Sequence, residues 1–227
     1  MDVAGTFSND RPGTFFGLRT AHSRSDLPWT FERIQGAAAR IERGWNIYRE
    51  GDSENYVYKV LAGAACTYKI LVDGRRQIAS FYLPGDAFGF ESPDTQPFTA
   101  EAIATTTIVS IKRSSIMMLA ENDPNAGGEL TMWALTELFR AQRHLLMLSQ
   151  TALARVAAFL LEMAERLKTS PELELPMGRR EIADYLGLTI ETVSRTLARL
   201  EQSSVITLES SRRINLRDPD RLISLSE

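Results

Sequence analysis

Glu191, Ser194 and Arg195 stand within five positions of one another in the stretch GRREIADYLGLTIETVSRTLARL, residues 178–200. On a helix, the four-residue step from Glu191 to Arg195 puts both on one side, one turn apart, with Ser194 and Arg199 alongside. Val193, Leu197 and Leu200 then form the opposite, buried stripe. The polar face has the chemistry needed to read base edges in a DNA major groove. Arginine can bond bidentately to guanine O6 and N7, and glutamate can accept from the cytosine amino group. Taken alone, Glu191 and Arg195 are equally an i,i+4 ion pair on a solvated helix, worth about 0.2–0.5 kcal/mol. The surrounding residues decide between the two readings.

Upstream, Ile182, Ala183 and Leu186 make the inner face of a short helix, and Ala183 is small enough to let a second helix cross closely. Gly187 sits where a tight inter-helix turn needs positive φ. Thr189 is a suitable N-cap, and Glu191 in the first turn suits the helix dipole. Downstream, residues 205–208 and 214–216 read as two short strands around a basic tip, Arg212 and Arg213, which is the pattern of a wing. Two helices and a wing make a winged helix-turn-helix. A recognition helix uses its N-terminal residues for base edges. Glu191, Ser194 and Arg195 are therefore the expected base readers, and Ile190, Thr192 and Arg199 contact base or backbone. Arg179, Arg180, Thr189, Arg212 and Arg213 are expected at phosphates. Residues 171–227 hold eight arginines against ten acidic residues, so the basic character is a local patch. Affinity for arbitrary sequence is expected to be modest and salt-dependent.

These elements need a scaffold, and the rest of the chain supplies one. Residues 41–48, 56–61, 65–72, 77–83 and 105–112 mix β-branched and aromatic residues with polar ones, broken by turn signals at 50–52, Gly63, 73–74 and 84–86. Asp73-Gly74 predicts a two-residue type I′ hairpin. Short strands at this spacing predict an antiparallel β-roll or barrel. From about residue 128 to 151 the period becomes helical, with Leu135, Leu138, Ala141, Leu145 and Leu148 on one stripe and Trp133, Glu137, Arg140 and Arg143 mainly off it. That stripe can pack on its own roll, but the helix length favours pairing with a second chain. A second helix follows over 152–167, and residues 168–171 read as a linker. The fold class is thus α+β, divided into a flexible arm over 1–27, a β-roll over 28–124, helices over 125–168 and the winged helix-turn-helix over 169–227.

Composition narrows the rest. The chain has 227 residues, 44% hydrophobic and 24% charged, with a net charge of −3. It has no uninterrupted apolar run of the about 18 residues that a membrane span needs. Residues 1–27 carry charges and no apolar core of a signal peptide, so the cytoplasm is the expected location. Cys66 is the only cysteine and His22 and His144 the only histidines, which argues against a thiolate or multi-histidine metal site. Cys66 falls in an expected strand, favouring a buried, inert thiol over a redox switch. His144 is expected at an interface or surface rather than on a haem. No nucleophile–base pair appears, so an enzyme is not expected.

Together these segments resemble the cyclic-AMP receptor protein/FNR superfamily of bacterial regulators, over nearly the whole chain from about residue 30. YLGLTIETVSRTLARL, residues 185–200, is the most specific match, and Glu191, Ser194 and Arg195 fit the FNR-type Glu-x-x-Ser-Arg reading residues. LPGDAFGFE, residues 83–91, resembles the roll turn of FNR-like members. The resemblance implies a cyclic-nucleotide-binding-like roll, a dimerisation helix, a homodimer on double-stranded DNA at a TTGAT-N4-ATCAA-like palindrome, and contact with RNA polymerase, for which Asp73, Gly74, Arg75 and Arg76 are candidates. Departures refine it. Phe98-Thr99 stand where cyclic-nucleotide binders carry an Arg-Ser pair, and Ser110 stands near the place of a cluster cysteine. Neither cyclic AMP nor an iron–sulfur cluster is expected, and no other cofactor; this combination resembles the FixK-type branch. Gly178 replaces the usual Thr, Ser or Cys at the first helix cap, leaving its backbone N–H for a phosphate. The alternatives are a roll that senses a small effector, such as haem-bound nitric oxide or an organic acid, and a cyclic-nucleotide signalling module whose C-terminal part binds protein.

Overall fold

The computed structural model describes residues 34–53, 55–92 and 94–227; the arm expected over 1–27 lies outside them. The roll consists of two antiparallel four-stranded sheets. One has the order β1 (Ala37–Ile41), β8 (Thr106–Lys112), β3 (Tyr56–Ala62), β6 (Ala87–Phe88), and the other β2 (Asn46–Tyr48), β7 (Thr99–Ala102), β4 (Ala65–Ile70), β5 (Arg76–Tyr82). Tyr48, Val60, Ala65, Tyr82, Phe88 and Ala100 form a buried cluster here, with the Tyr82 and Phe88 rings stacked at 4.5 Å.

Two strand expectations change. The single strand over 41–48 is two strands, because Gly44 turns the chain at φ +84°. The 73–74 hairpin is not a two-residue type I′ turn. Gly74 N–H donates to the Leu71 carbonyl at 2.9 Å, Leu71 N–H donates to the Arg75 carbonyl at 2.8 Å, and only Gly74 has positive φ. That is a turn followed by a bulge glycine, the three-residue solution. Gly63 is required for another reason: at φ +82° a Cβ there would run into the backbone of Thr105 and Thr106. β6 and β7 are two and four residues long, too short to announce themselves.

Helix α1 (Arg113–Asn122) was not expected; it carries little amphipathic pattern and buries only Ile116. Helix α2 (Pro124–Met147) starts earlier and ends earlier than its apolar period suggested. Asp123 caps it by accepting from Asn125 N–H at 2.9 Å, and Pro124 occupies the first turn. Helix α3 (Ala152–Leu167) matches its expected bounds, with Thr151 as N-cap. The 168–171 linker leads into a strand that sequence reading missed, β9 (Glu172–Glu174), which extends the wing sheet to the order β10 (Ile206–Leu208), β11 (Arg213–Leu216), β9. Helices α4 (Arg179–Leu186) and α5 (Ile190–Gln202) form the helix-turn-helix, and α6 (Pro219–Ser226) closes the chain.

A continuous core joins the parts. Ile78 and Phe81 of β5, Val156, Phe159, Leu160 and Met163 of α3, and Ile182, Leu186, Val193 and Leu197 of the helix-turn-helix all belong to one buried cluster. No helix among the described residues is long and apolar enough to cross a membrane.

Candidate nucleic-acid interface

Local chemistry fixes the recognition helix. Thr189 caps α5 by accepting from Thr192 N–H at 3.1 Å. Gly187 ends α4 in the left-handed region at φ +62°, which a side chain adopts only at a cost. Arg155 of α3 donates to the Leu186 carbonyl at 2.8 Å, satisfying one of the free carbonyls at that helix end. Sequence reading missed Arg155, whose only signal is a lone arginine inside the apolar run LARVAAF.

On α5, Val193, Leu197 and Leu200 are buried as expected, while Glu191, Arg195 and Arg199 are exposed and Thr192, Ser194 and Ile190 are half-buried. Glu191 and Arg195 are both exposed, and the Glu191 carboxyl is held at the helix start rather than by Arg195. A hydrogen bond from its own backbone N–H, then one from the Thr189 hydroxyl, holds the Glu191 carboxyl below its usual range, so it is an acceptor throughout the neutral range. Ser194 is not a free reader: its Oγ receives a hydrogen bond from Arg179 Nη1 at 3.2 Å.

The phosphate candidates lie on the same part of the molecule in unequal states. Arg180 is exposed, whereas Arg179 is half-buried between α4 and α5. In the wing, Arg213 is exposed and 3.7 Å from Glu174, a loose surface pair, and Arg212 is half-buried. Ser210 Oγ accepts from both Arg212 N–H and Arg213 N–H, which shapes the tip. The Gly178 N–H is not available to a phosphate, because it donates to Glu181 Oε2 at 2.9 Å. That correction was readable in the sequence: residue 181, three positions after the cap, is the acid of a capping box.

The reading head is seated on the roll. Arg43 lies 3.5 Å from Glu181 of α4, and Gln77 Nε2 of β5 donates to the Tyr185 carbonyl at 3.2 Å. Tyr185 is the hub of this seat. Its ring contacts Phe81 at 4.9 Å and Phe159 at 5.9 Å, and it stacks on His144 at 4.1 Å. His144 therefore packs inward, against the expectation of an interface or surface residue, and burial holds its imidazole below the ordinary value.

Beside this seat lies a charged network. Arg166, whose side chain is 9% exposed, donates to Asp86 Oδ2 at 2.6 Å, to the Phe81 carbonyl at 2.7 Å and to Glu162 at 3.2 Å. Asp86 also accepts from Leu83 N–H at 2.7 Å, which closes the LPGDAFGFE turn. Burial alone would lower the Arg166 pKa, but Asp86 and Glu162 outweigh it and keep the guanidinium charged. A cavity of about 430 Å³ adjoins the network, lined by Tyr82, Glu91, Phe98, Trp133, Glu137 and His144 among others. Phe98 and Glu91 line it together with Arg140, Arg143 and Arg166, so both carboxylates and guanidinium groups face this space.

Helix α2 faces opposite to a simple amphipathic reading. Its half-buried side carries Trp133, Glu137, Arg140 and His144 toward the chain's own body, while Met132, Leu135, Leu138, Phe139, Leu145 and Leu146 are each more than half exposed. Ala141 is exposed at the flank of this stripe, and Leu148 is half-buried facing Gly187. At the β4–β5 hairpin tip, Asp73 and Arg75 pair in the open at 2.7 Å, but Arg76 turns inward over the Tyr68 ring and onto Glu101 at 3.2 Å. That removes Arg76 from the exposed tip.

Cys66 is fully buried, and burial pushes its thiol up to about 12, with Arg76 only partly opposing. The native protein should leave Cys66 unmodified by a thiol-exchange reagent at pH 8 and release one equivalent after denaturation; rapid labelling of the native protein would contradict this placement.

The comparisons with known proteins agree with this geometry. A Crp-like helix-turn-helix domain matches residues 154–225 and a cyclic nucleotide-binding domain matches residues 39–123. The chain is 45% identical over 188 residues to the nitrogen fixation regulation protein FixK of Rhizobium meliloti, spanning 82% of this chain and 86% of that protein. It is 45% identical over 193 residues to FixK of Azorhizobium caulinodans, spanning 82% and 78%. Its fold superposes on FixK2 of Bradyrhizobium japonicum with a TM-score of 0.82 and 42% identity, covering 86% of this chain and 98% of that one. The chain therefore belongs to the cyclic-AMP receptor protein/FNR superfamily, beside the FixK proteins, and is a DNA-binding transcription regulator rather than an enzyme.

Proposed function

We propose that the chain is a cytoplasmic, homodimeric transcription activator that reads an FNR-type palindrome, TTGAT-N4-ATCAA-like, without cyclic AMP or an iron–sulfur cluster. The carrying observation is the outward pair Glu191 and Arg195 at the start of α5, held by a buried stripe beneath. Each half-site would meet one α5, with Ile190, Thr192, Ser194 and Arg199 beside that pair, and Arg179, Arg180, Thr189, Arg212 and Arg213 on phosphates. The unpartnered stripe of α2, from Met132 to Leu146, supports pairing of two chains, because apolar groups this exposed on a single chain favour burial. The hairpin tip at Asp73, Gly74 and Arg75 is the candidate contact for RNA polymerase. A footprint of the purified protein on genomic DNA, with no added ligand, tests the reading. Protection of a two-fold symmetric site is the expected result, and protection that needs an effector, or none, would overturn it.

One observation favours a second reading, a roll that responds to a small effector. Trp133 Nε1 and His144 Nδ1 are buried without hydrogen-bond partners, and both residues line the 430 Å³ cavity. Buried polar atoms normally find partners. DNA affinity measured with and without candidate effectors separates the two.

A further inference from the structure

Arg179 opens α4 and Ser194 lies on α5, fifteen residues later. The fold brings Arg179 Nη1 to 3.2 Å from Ser194 Oγ, and Arg179 is the one hydrogen-bond partner of that hydroxyl among the described residues. Serine and threonine inside helices commonly return their proton to the carbonyl four residues back. Thr196 does so, donating to Thr192 at 2.8 Å, but Ser194 does not.

A hydroxyl has one proton and two lone pairs, whereas a guanidinium is always charged and can only donate. The contact therefore makes Ser194 an acceptor on the α4 side and leaves its proton for a second partner. Ser194 shares one face of α5 with the exposed Glu191 and Arg195 and is itself half-buried, so a partner that reaches it from outside comes by the reading face. A serine without such a neighbour can meet either donors or acceptors on a base edge. We infer that Arg179 is a specificity-determining positioning residue, which occupies one lone pair of Ser194 and so biases its hydroxyl toward donating to a base acceptor, thymine O4 or a purine N7, over accepting from the amino groups of cytosine and adenine. The guanidinium has further terminal N–H donors beside the one given to Ser194, so a phosphate contact by the same side chain is compatible, although its Nε is buried without a protein partner. This inference rests on the reading that α5 enters the major groove.

The test compares the full-length protein with Arg179→Met, Arg179→Lys, Ser194→Ala and the Arg179→Met/Ser194→Ala double variant, each selecting sites from a library with randomised half-sites. Ratios between sites are read for each protein, so a lower active fraction or a uniform phosphate loss cancels. Ser194→Ala should flatten the preference at one base pair per half-site by about 3- to 10-fold, the worth of one hydrogen bond. Arg179→Met should flatten the same pair and no other, the double variant should be no flatter, and Arg179→Lys, which keeps a donor, should retain part of the preference. Substituting the acceptor atom at that pair with 7-deazaadenine or 5-methyl-2-pyrimidinone should cost the wild type a similar factor. An Arg179→Met profile superimposable on the wild type, merely weaker, would overturn the inference while leaving α5 as the reader. A wild type with no sequence preference would instead overturn the reading on which it rests.

Discussion

Replacing Arg166 by methionine should lower the unfolding free energy by about 3–5 kcal/mol, the range for breaking a buried ion pair from one side. The methionine keeps most of the apolar stem, so the loss reports the charge and its hydrogen bonds. Asp86, 6% exposed at its side chain, would lose its 2.6 Å partner and Glu162 its 3.2 Å partner, and the Phe81 carbonyl would lose a donor. Arg140 stays beside Asp86 at 3.9 Å but is held at 2.9 Å by Glu137, so it offsets only part of the loss. Urea unfolding followed by tryptophan fluorescence at fixed protein concentration measures the loss. Arg166→Lys should recover only part of it, because an ammonium cannot span the two carboxylates and the carbonyl as a planar fork does. A change below about 1 kcal/mol, the worth of an exposed pair, would mean that solvent reaches this network.

Arg195→Ala should do little to the fold and much to DNA binding. Its side chain is exposed, so stability should stay within about 0.5 kcal/mol of the wild type. Loss of one base-reading arginine costs about 1–3 kcal/mol at one half-site. A dimer on a palindrome loses the contact twice, and well-separated positions add, so the whole site should weaken by roughly 2–6 kcal/mol. The comparison that isolates the contact uses an operator changed at the base pair that Arg195 reads. Wild type and variant should differ far less there than on the intact palindrome. Equal weakening on both operators would make Arg195 a phosphate contact. Glu191 provides a second check. Its carboxyl titrates below the usual range, so its contribution is present above that range and is lost only as pH falls through the lowered value. Specificity owed to Glu191 should therefore be flat across the neutral range.

The parts that were legible in the sequence are those where local chemistry and tertiary contact agree. Residues 178–200 carry a glycine for the turn, a threonine cap and an apolar stripe, and the two helices follow as expected. Cys66 is buried as its strand implied. The misread parts depend on partners remote in sequence. Nothing near Ser194 announces Arg179, and His144 looks like a surface residue until Tyr185 of the reading head stacks on it. On α2 the period made the apolar stripe legible, and the helix length already favoured turning it away from the chain's own roll, which its exposure matches. Here the face with Glu137 and Arg140 turns inward, because Arg140 reaches Asp86 and Glu137 while Trp133 packs on Phe90. β6, β7 and β9 are two to four residues long, too short for any period to show.

The single buried cluster that runs from Phe81 through Phe159 to Leu186 and Val193 bears on how such a regulator can be re-engineered. Cutting at the polar stretch between α3 and β9 looks natural on paper, yet a graft made there would strip Ile182, Tyr185 and Leu186 of the phenylalanines that cover them. A transplant of the reading head has to carry α3 with it, and its new host must offer a surface equivalent to β5. Changing target sequence within this scaffold is accordingly a matter of editing side chains on the outer face of α5, where exchange leaves that shared interior intact.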